Sequence, residues 1–288
     1  MKCFFHVRDM DGRCSGAIVK LRFPDVELIP FDYNWPFPWN TIEEDELVYM
    51  VDVSLPLADM VRLRGMCRLI WIDHHKGIIQ ESRAADEYFN GLQYYTGENY
   101  KLSGCELTWR YLHDSSSIMP LPVYLLGRYD VWIHDDPRVL PFQSGMWAIN
   151  GTGPECTVFW SLLFGDEDLV EEVIEKGELL LAAKTKDNAA YVRSFGFDTE
   201  FESLRALAVN RGSTNSKIFD GHYDPKRHDV MITFVWERDH WKCSVYVDKG
   251  KQNDVDASVL AKRHGGGGHL GAAGFSCAQL PFVLPVAA

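Results

Sequence analysis

An apolar run that stops abruptly on a carboxylate and two imidazoles constrains the fold of this sequence more than any other feature. The run Cys67–Ile72 is followed directly by Asp73, His74 and His75. Such a run suits a strand buried in a parallel sheet, and open α/β sheets bind ligands at the carboxyl ends of their strands. Carboxylate beside imidazole suits Mn²⁺, Fe²⁺ or Zn²⁺ better than Ca²⁺, which takes oxygen ligands. Taken alone, however, these three residues more often form a surface turn.

Two earlier apolar runs are also followed by carboxylates. A strand predicted over Lys2–His6 precedes the acidic pair Asp9 and Asp11, and an apolar run that begins at Leu47 ends on Asp52. Strand, acidic turn and helix form the opening of a βαβ unit, so we expect a mainly parallel sheet with right-handed crossovers. The acidic pair could also open a calcium loop, but no later carboxylate completes that spacing. All these strand ends would share one crevice.

Later segments define the domain organisation. The segment Leu121–Tyr129 leads into Asp130, a further acid after an apolar stretch. From about residue 168 to 193, apolar residues recur at three- and four-residue steps, which predicts a long amphipathic connector helix. We expect an α/β fold in which residues 1–165 form a parallel-sheet metal domain, 166–195 the connector and 196–288 a smaller mixed α/β substrate domain.

The segment Tyr33–Trp39 is crowded with aromatic residues and contains two prolines. It could offer a base-stacking platform or pack onto the core. Scattered aromatic residues near proline are usually buried, so packing is the favoured interpretation.

Four consecutive glycines, Gly265–Gly268, precede His269 in the second domain. Because glycine loses more backbone entropy than any other residue on folding, some backbone demand should justify them. A close approach to phosphate, with backbone amides as donors, is favoured over a flexible turn. The predicted substrate-binding residues are Arg263, Gly266, Gly267, Gly268 and His269.

Composition limits the partners of this chain. The formal net charge of −12 argues against non-specific binding of long nucleic acid, which depends on cationic contacts to phosphates. No run of about eighteen apolar residues and no secretory leader is visible, so a cytoplasmic protein without a membrane partner is expected. Seven cysteines without a Cys-x-x-Cys pair fit reduced thiols in that compartment. A short anionic substrate stays compatible with this charge if metal ions supply a positive field.

Together these motifs resemble the DHH phosphoesterase superfamily, in the branch that carries a DHH-associated substrate domain. The likeness spans nearly the whole chain, and its motifs follow the family order: His6 with Asp9–Gly12, then Asp52, then Asp73–His75, then Gly127–Asp130, then Gly265–His269 with Ala272–Gly274. Two residues separate His6 from Asp9, where RecJ-like members have one and oligonucleotide-clearing members often have three. The Asp9 and Asp11 pair matches the family pattern more closely than His6 does.

The resemblance implies two Mn²⁺ ions, for which Mg²⁺ or Co²⁺ could substitute. The implied ligands are His6, Asp9 and Asp52 for one ion and Asp11, Asp52, His74 and Asp130 for the other. Asp52 would bridge, His75 would meet the scissile phosphate, and Asp73 would orient an imidazole. Gly267, Gly268 and His269 would hold the far end of the substrate. Two divalent ions close together can polarise a phosphoryl group and lower the pKa of a water between them.

The expected function is hydrolysis of very short oligonucleotides to nucleoside monophosphates by a metal-dependent phosphodiesterase, which is a nuclease activity. The small second domain and the acidic composition favour short substrates. Cleavage of a cyclic or linear dinucleotide, or removal of phosphate from pAp, is the alternative. A RecJ-like single-strand exonuclease and an inactive nucleotide-binding sensor are less favoured. A homodimer is possible.

Overall fold

The computed structural model describes residues 1–33, 35–94 and 102–285. The chain divides into two compact units, Met1–Leu181 and Ala182–Ala288. The division lies within a single long helix, Glu167–Phe195. Within the described ranges, no helix is both long and apolar enough to cross a membrane.

The first unit is built on a parallel sheet. Its five described strands are β1 Lys2–His6, β2 Glu27–Phe31, β3 Leu47–Val51, β4 Arg68–Asp73 and β5 Asn90–Gln93. They pair in the order β2-β1-β3-β4-β5, and every described pair is parallel. The predicted α/β parallel-sheet fold is therefore confirmed. In a sheet of this order successive strands are added to one side of β1 and then to the other, so the strand order reverses between β1 and β3, which is where such sheets bind ligands.

Side chains of the strands alternate between two hydrophobic clusters, one on each face of the sheet. Phe4 and Trp71 belong to one cluster, whereas Phe5 and Ile72 belong to the other. Successive side chains of a strand point to opposite faces, so a strand that is apolar at every position must be covered on both. The apolar runs in the sequence reflect this double burial.

The first unit also contains helices. They are α1 Met10–Arg22, α2 Leu57–Met66, α3 Lys76–Ala84, α4 Gly104–Leu112, α5 Leu121–Asp130, α6 Val139–Ala148 and α7 Thr157–Gly165, with a 3-10 turn at Trp39–Thr41. The long helix α8, Glu167–Phe195, begins in this unit and ends in the second. The acidic turn expected at Asp9 and Asp11 is instead the start of α1, because Asp9 caps the helix by accepting the amide hydrogen of Gly12. Asp11 therefore lies in the first helical turn rather than in a loop. Ser103 and Glu106 form a capping box at the start of α4.

The second unit contains a mixed sheet and a short helix. Its elements are β6 Phe197–Phe201, β7 Leu204–Asn210, β8 Val230–Glu237, β9 His240–Tyr246, α9 Ala257–Arg263, β10 Gly267–His269 and β11 Ala272–Cys277, with 3-10 turns at Ser216–Phe219 and Lys249–Lys251. The strand order is β10-β11-β9-β8-β7-β6, and β7 and β8 are parallel whereas the other described pairs are antiparallel. The glycine run thus continues into an edge strand of a hairpin, which the sequence did not suggest.

Candidate metal centre

Three neighbouring strands deliver the central side chains of the site at their carboxyl ends. His6 is the last residue of β1, Asp52 follows β3 directly, and His74 follows β4. Because β3 lies between β1 and β4, Asp52 lies between the two histidines. Its Oδ2 is 3.9 Å from His6 Nδ1, and its Oδ1 is 3.2 Å from His74 Nε2. Asp52 therefore occupies the position from which one carboxylate can serve two metal ions.

The backbone of Asp52 is strained and its side chain is buried. Its φ is +54°, in the left-handed region, while its amide donates to the Ile72 carbonyl at 2.9 Å. Burial, followed by the nearby carboxylates of Asp11 and Asp9, raises its pKa well above the usual range. Its Oδ1 accepts no hydrogen bond from the described residues. A buried carboxylate without a donor is costly, and strained residues of this kind cluster at functional sites.

Asp9 joins His6 on one side of Asp52. Its Oδ1 accepts the Gly12 amide at 2.9 Å, and its Oδ2 lies 2.7 Å from His6 Nδ1. Gly12 is required here, because a Cβ would lie 2.1 Å from the His6 carbonyl oxygen. The glycine thus allows α1 to start tight against the end of β1. One ligand atom from each of His6, Asp9 and Asp52 falls within a group that spans at most 4.8 Å.

Asp11 is anchored by the amino end of α4. Its Oδ2 accepts the Gly104 amide at 2.7 Å, and its Oδ1 accepts the Cys105 amide at 2.8 Å. Free amides at a helix start suit an anion, so this contact orients the carboxylate. A Cβ on Gly104 would lie 2.5 Å from the Cβ of Asp52, which makes this glycine part of the site. Sequence reasoning overlooked Gly104, although a glycine directly after the capping Ser103 was a visible signal.

Asp130 closes the other side of the site. It is the last residue of α5, and its Oδ2 is 3.3 Å from His74 Nε2, while Asp11 Oδ2 is 3.7 Å from the same nitrogen. Burial first and then Asp11 raise the pKa of Asp130 well above its usual range. A carboxylate at a helix carboxyl end is also unfavourable in the helix dipole. Asp11, His74 and Asp130 form a second group within 4.8 Å.

Asp73 orients His75 rather than facing the centre. Its Oδ1 accepts from His75 Nδ1 at 2.6 Å and from the His74 amide at 2.8 Å, and its Oδ2 accepts the Trp71 indole at 3.1 Å. Burial lowers and the Asp73 carboxylate raises the pKa of His75, and the balance raises it to about 9. His75 also forms a third group with Asp52 and His74, with ligand atoms within 4.8 Å. Asp73 therefore fixes the ring of His75 beside the centre.

The donor set fits two divalent cations. Four buried or half-buried aspartates and two histidines, the six ligands that the sequence predicted, meet at one edge of the sheet. Carboxylates with imidazoles suit Mn²⁺ and related ions. Four carboxylates so close together repel each other when ionised, and two divalent cations would neutralise that charge.

Several solved structures of other proteins are similar to this one, although sequence comparison finds no relative. No family model matches the sequence, and no curated protein does. The structure is similar to that of a pGpG-specific phosphodiesterase from Vibrio cholerae, with a TM-score of 0.56 at 14% identity over 96% of this chain and 93% of the other. The DHH domain of a member of the s1p family of ribosomal proteins gives a TM-score of 0.58 at 14% identity over 96% and 82%. The chain has the DHH fold.

A third similar structure is that of an exopolyphosphatase-related protein from Bacteroides fragilis. Its TM-score is 0.50 at 16% identity, over 95% of this chain and 85% of the other. Each match covers both units, so the predicted pairing of a parallel-sheet domain with a smaller mixed domain agrees with known DHH folds. The resemblance that the motifs suggested is thus confirmed at the level of fold.

In the second unit of this DHH fold, two of the glycines serve packing. A Cβ on Gly266 would lie 2.1 Å from the Gly274 carbonyl oxygen, and a Cβ on Gly268 would lie 2.5 Å from the Ala273 Cα. Gly268 also has a φ of +146°, which side chains rarely adopt. The close approach that these glycines permit is to the neighbouring strand, β11.

The other predicted substrate-binding residues have no such structural task in the hairpin. Gly267 has open space where a Cβ would be, and Gly267 and His269 are both exposed on the edge strand β10. Arg263, in contrast, has a partner, because its guanidinium binds Glu202 at 3.0 Å. Gly267 and His269 therefore stay the stronger predictions for substrate contact.

Proposed function

We propose that this protein is a metal-dependent phosphodiesterase that hydrolyses very short oligonucleotides to nucleoside monophosphates with two Mn²⁺ ions. The observation that carries the proposal is the placement of Asp52. It is buried, strained and without a hydrogen-bond donor on Oδ1, and it lies between two groups of aspartate and histidine ligands. A fold without a catalytic task would gain stability by replacing such a residue.

The residues of the chain divide the work. Two bound divalent ions would polarise the phosphodiester and lower the pKa of the attacking water. His75 would donate a hydrogen bond to a phosphate oxygen, because Asp73 fixes its ring and favours its protonated form. Asp52 would shield the two cations from each other. Asp11 is anchored on α4, which would hold its carboxylate next to His74. Gly267 and His269 would hold the end of the substrate that is not cleaved.

Short substrates are favoured over long ones by charge. A net charge of −12 supplies little of the cationic surface on which affinity for long nucleic acid depends. One protein that shares this fold is a pGpG-specific phosphodiesterase. A linear dinucleotide is therefore the second candidate substrate, ahead of a cyclic dinucleotide and of pAp. A cytoplasmic location and a homodimer stay predictions.

The test is hydrolysis of 5′-labelled RNA and DNA of graded length by the full chain. Protein stripped with a chelator should be inactive and should recover with Mn²⁺. We expect dinucleotides and slightly longer RNAs to be degraded to monophosphates, with no gain per end as the strand lengthens. A rate that keeps rising with length and falls steeply with salt would instead establish a RecJ-like exonuclease. Binding without turnover of any of these substrates, pGpG and pAp included, would establish a sensor.

A further inference from the structure

The aromatic loop between β2 and β3 is divided in its packing. Phe37 packs against Phe4, with ring centroids 4.8 Å apart, and against Trp39, with centroids 4.7 Å apart. The predicted packing role is confirmed for these two loop residues. Tyr33 and Trp35 differ, because 47% and 42% of their surfaces are exposed. For them the packing interpretation is wrong, and their exposure requires another explanation.

Tyr33 borders the candidate metal centre. Its ring stands edge-on to His6, with centroids 5.4 Å apart, and to His75, with centroids 5.8 Å apart. Its hydroxyl oxygen is 3.4 Å from His75 Nδ1. A large aromatic face is thus exposed next to His75, the residue proposed to contact the phosphate.

Trp35 is tied to the same centre through a charged pair. The Arg8 guanidinium lies 5.7 Å from the centroid of the Trp35 ring, and its Nε donates to Asp32 Oδ2 at 2.7 Å. Asp32 is buried, and its Oδ1 is 3.9 Å from His6 Nε2. The buried carboxylate of Asp32 therefore holds the guanidinium of Arg8, which lies near the Trp35 ring, in place relative to His6, a predicted metal ligand.

We propose that Tyr33, Trp35 and Arg8 form a nucleobase-binding subsite, which we call the aromatic rim. It would stack the base of the nucleotide whose phosphate lies at the metal centre, and this assignment rests on the proposed function. Every nucleobase has a flat π face, so aromatic side chains bind bases with little regard to sequence, and an arginine adds a cation–π contact. One stacking subsite beside the metals also explains how an acidic protein can hold a short substrate without a basic track.

The rim predicts that affinity depends on the base itself. AMP and ribose 5-phosphate share the sugar and the phosphate and differ only in the adenine, so their binding to the Mn²⁺-loaded full chain isolates the base. Calorimetry should give AMP a dissociation constant about tenfold lower, as expected for one stacked base. Trp35→Leu should bring the two ligands within about twofold of each other and leave ribose 5-phosphate unchanged. Trp35→Phe, which keeps a ring, should retain most of the difference.

Trp39→Leu is the matched control. Trp39 lies in the same loop and also carries an arginine, Arg62, at 3.9 Å from its ring centroid, but it packs against Phe37. This substitution should lower the melting temperature and leave the preference for AMP intact. If Trp35→Leu fails to fold, Tyr33→Leu gives a second test, because it should also reduce the preference for AMP over ribose 5-phosphate.

Two outcomes would overturn the rim. One is equal affinity of the wild-type protein for AMP and ribose 5-phosphate, and the other is a preference that survives both the Trp35 and the Tyr33 substitutions. The result is separable from the proposed function. A preference for AMP that depends on Trp35 would uphold the rim even if no oligonucleotide were cleaved, and cleavage with no such preference would uphold the phosphodiesterase and remove the rim.

Discussion

The metal edge of the first unit and the glycine hairpin of the second both contain unusual residues, but the fold needs those residues only in the hairpin. At the metal edge, Asp52 is a buried acid and Asp130 a half-buried one, both have raised pKa values, and the fold gains nothing from them. In the hairpin, Gly266 and Gly268 are residues that the fold itself needs, because side chains there would collide with β11. An unusual residue therefore indicates function only where packing does not already explain it.

Replacing Asp52 by Asn should produce the largest effect. Turnover should fall by more than about a thousandfold, which is about 4 kcal/mol of transition-state stabilisation. Asn tolerates the left-handed backbone, so the fold should persist. In metal-free protein the variant should melt at a higher temperature than the wild type, since it removes one of several repelling carboxylates. Adding Mn²⁺ should reverse that order, because only the wild type binds both ions tightly.

Asp25→Asn is the control for this substitution. Asp25 is an exposed acid just before β2, at the amino-terminal edge of the parallel sheet. It should change neither turnover nor the response of the melting temperature to Mn²⁺. An Asp52→Asn protein that kept about a tenth of the wild-type rate, only about 1.4 kcal/mol short, would contradict the two-metal proposal.

Gly104→Ala should give the next largest effect, although it leaves every predicted ligand in place. The new Cβ would lie 2.5 Å from the Cβ of Asp52 and 2.6 Å from its Oδ1, so the carboxylate must move. We expect turnover to fall by about a hundredfold, as for other small displacements of catalytic groups. Calorimetry should show weaker Mn²⁺ binding as well.

Gly65→Ala provides the matched substitution. Gly65 lies in α2 and has open space around the position of a Cβ. Alanine is favoured over glycine in a helix by up to about 1 kcal/mol, so this variant should be as active as the wild type and slightly more stable. Equal losses for the two alanine variants would show that Gly104 acts through the fold and not through Asp52.

The sequence predicted those parts of the molecule in which one physical cause sets the pattern. Continuous apolar runs identified the three central strands β1, β3 and β4, because a strand covered on both faces must be apolar throughout. The edge strand β5 has no such run and was not predicted. Polar residues at the ends of those runs indicated that His6, Asp52 and His74 would meet, since parallel strands bring their carboxyl ends to one edge. The full set of six predicted ligands came from the family resemblance, because Asp130 stands at the end of a helix and Asp11 within one. The acidic pair was expected in a turn, whereas Asp9 both caps α1 and faces His6, so one residue has two tasks.

Tertiary proximity accounts for what the sequence could not supply. Nothing local to Gly104 indicates that it touches Asp52, and nothing local to Tyr33 indicates that it is exposed beside His75. The glycine run suggested a loop because four glycines in a row carry no strand propensity. Its pairing with β11 follows from sheet contacts that arise only when the second unit is assembled.

Valine substitutions at Gly267 and Gly268 should differ in their effect on folding. Gly267→Val should fold normally, because nothing lies within 4 Å of the added Cβ, whereas Gly268→Val should destabilise the second unit by colliding with Ala273. If Gly267 contacts the substrate, Gly267→Val and His269→Ala should slow oligonucleotide hydrolysis by about tenfold or more and spare a minimal chromogenic phosphodiester. Remote binding energy assists only substrates that possess the remote group.

His75→Ala is the counterpart on the metal side. It should depress both substrates together, because His75 is proposed to contact the scissile phosphate itself. Equal losses on both substrates for His269→Ala would place the hairpin in the catalytic centre or in folding. The assignment of the second unit as the part that reads the substrate would then be withdrawn.

The smallest effect on turnover should come from Asp229→Asn, which tests whether charge in the second unit is structural. Asp229 accepts from Arg205 Nε at 2.9 Å and from Lys251 Nζ at 2.8 Å. These hydrogen bonds, Arg205 first, hold the pKa of Asp229 well below its usual range. A carboxyl group whose pKa is lowered by folding stabilises the folded state above its unfolded pKa, and that contribution is lost as the pH falls.

Chemical unfolding of the wild type and Asp229→Asn should therefore differ by about 1 kcal/mol near neutral pH, a value kept small by solvent around the pair. The difference should shrink once the pH falls below about 4, where the unfolded carboxyl group is protonated. Turnover at temperatures where both proteins are folded should match, because the partners of Asp229 are Arg205 and Lys251, neither of which is a predicted substrate contact. A variant with native stability but impaired hydrolysis of oligonucleotides would reverse the comparison between the two units, since a charge cluster that packing explains would then have a functional task.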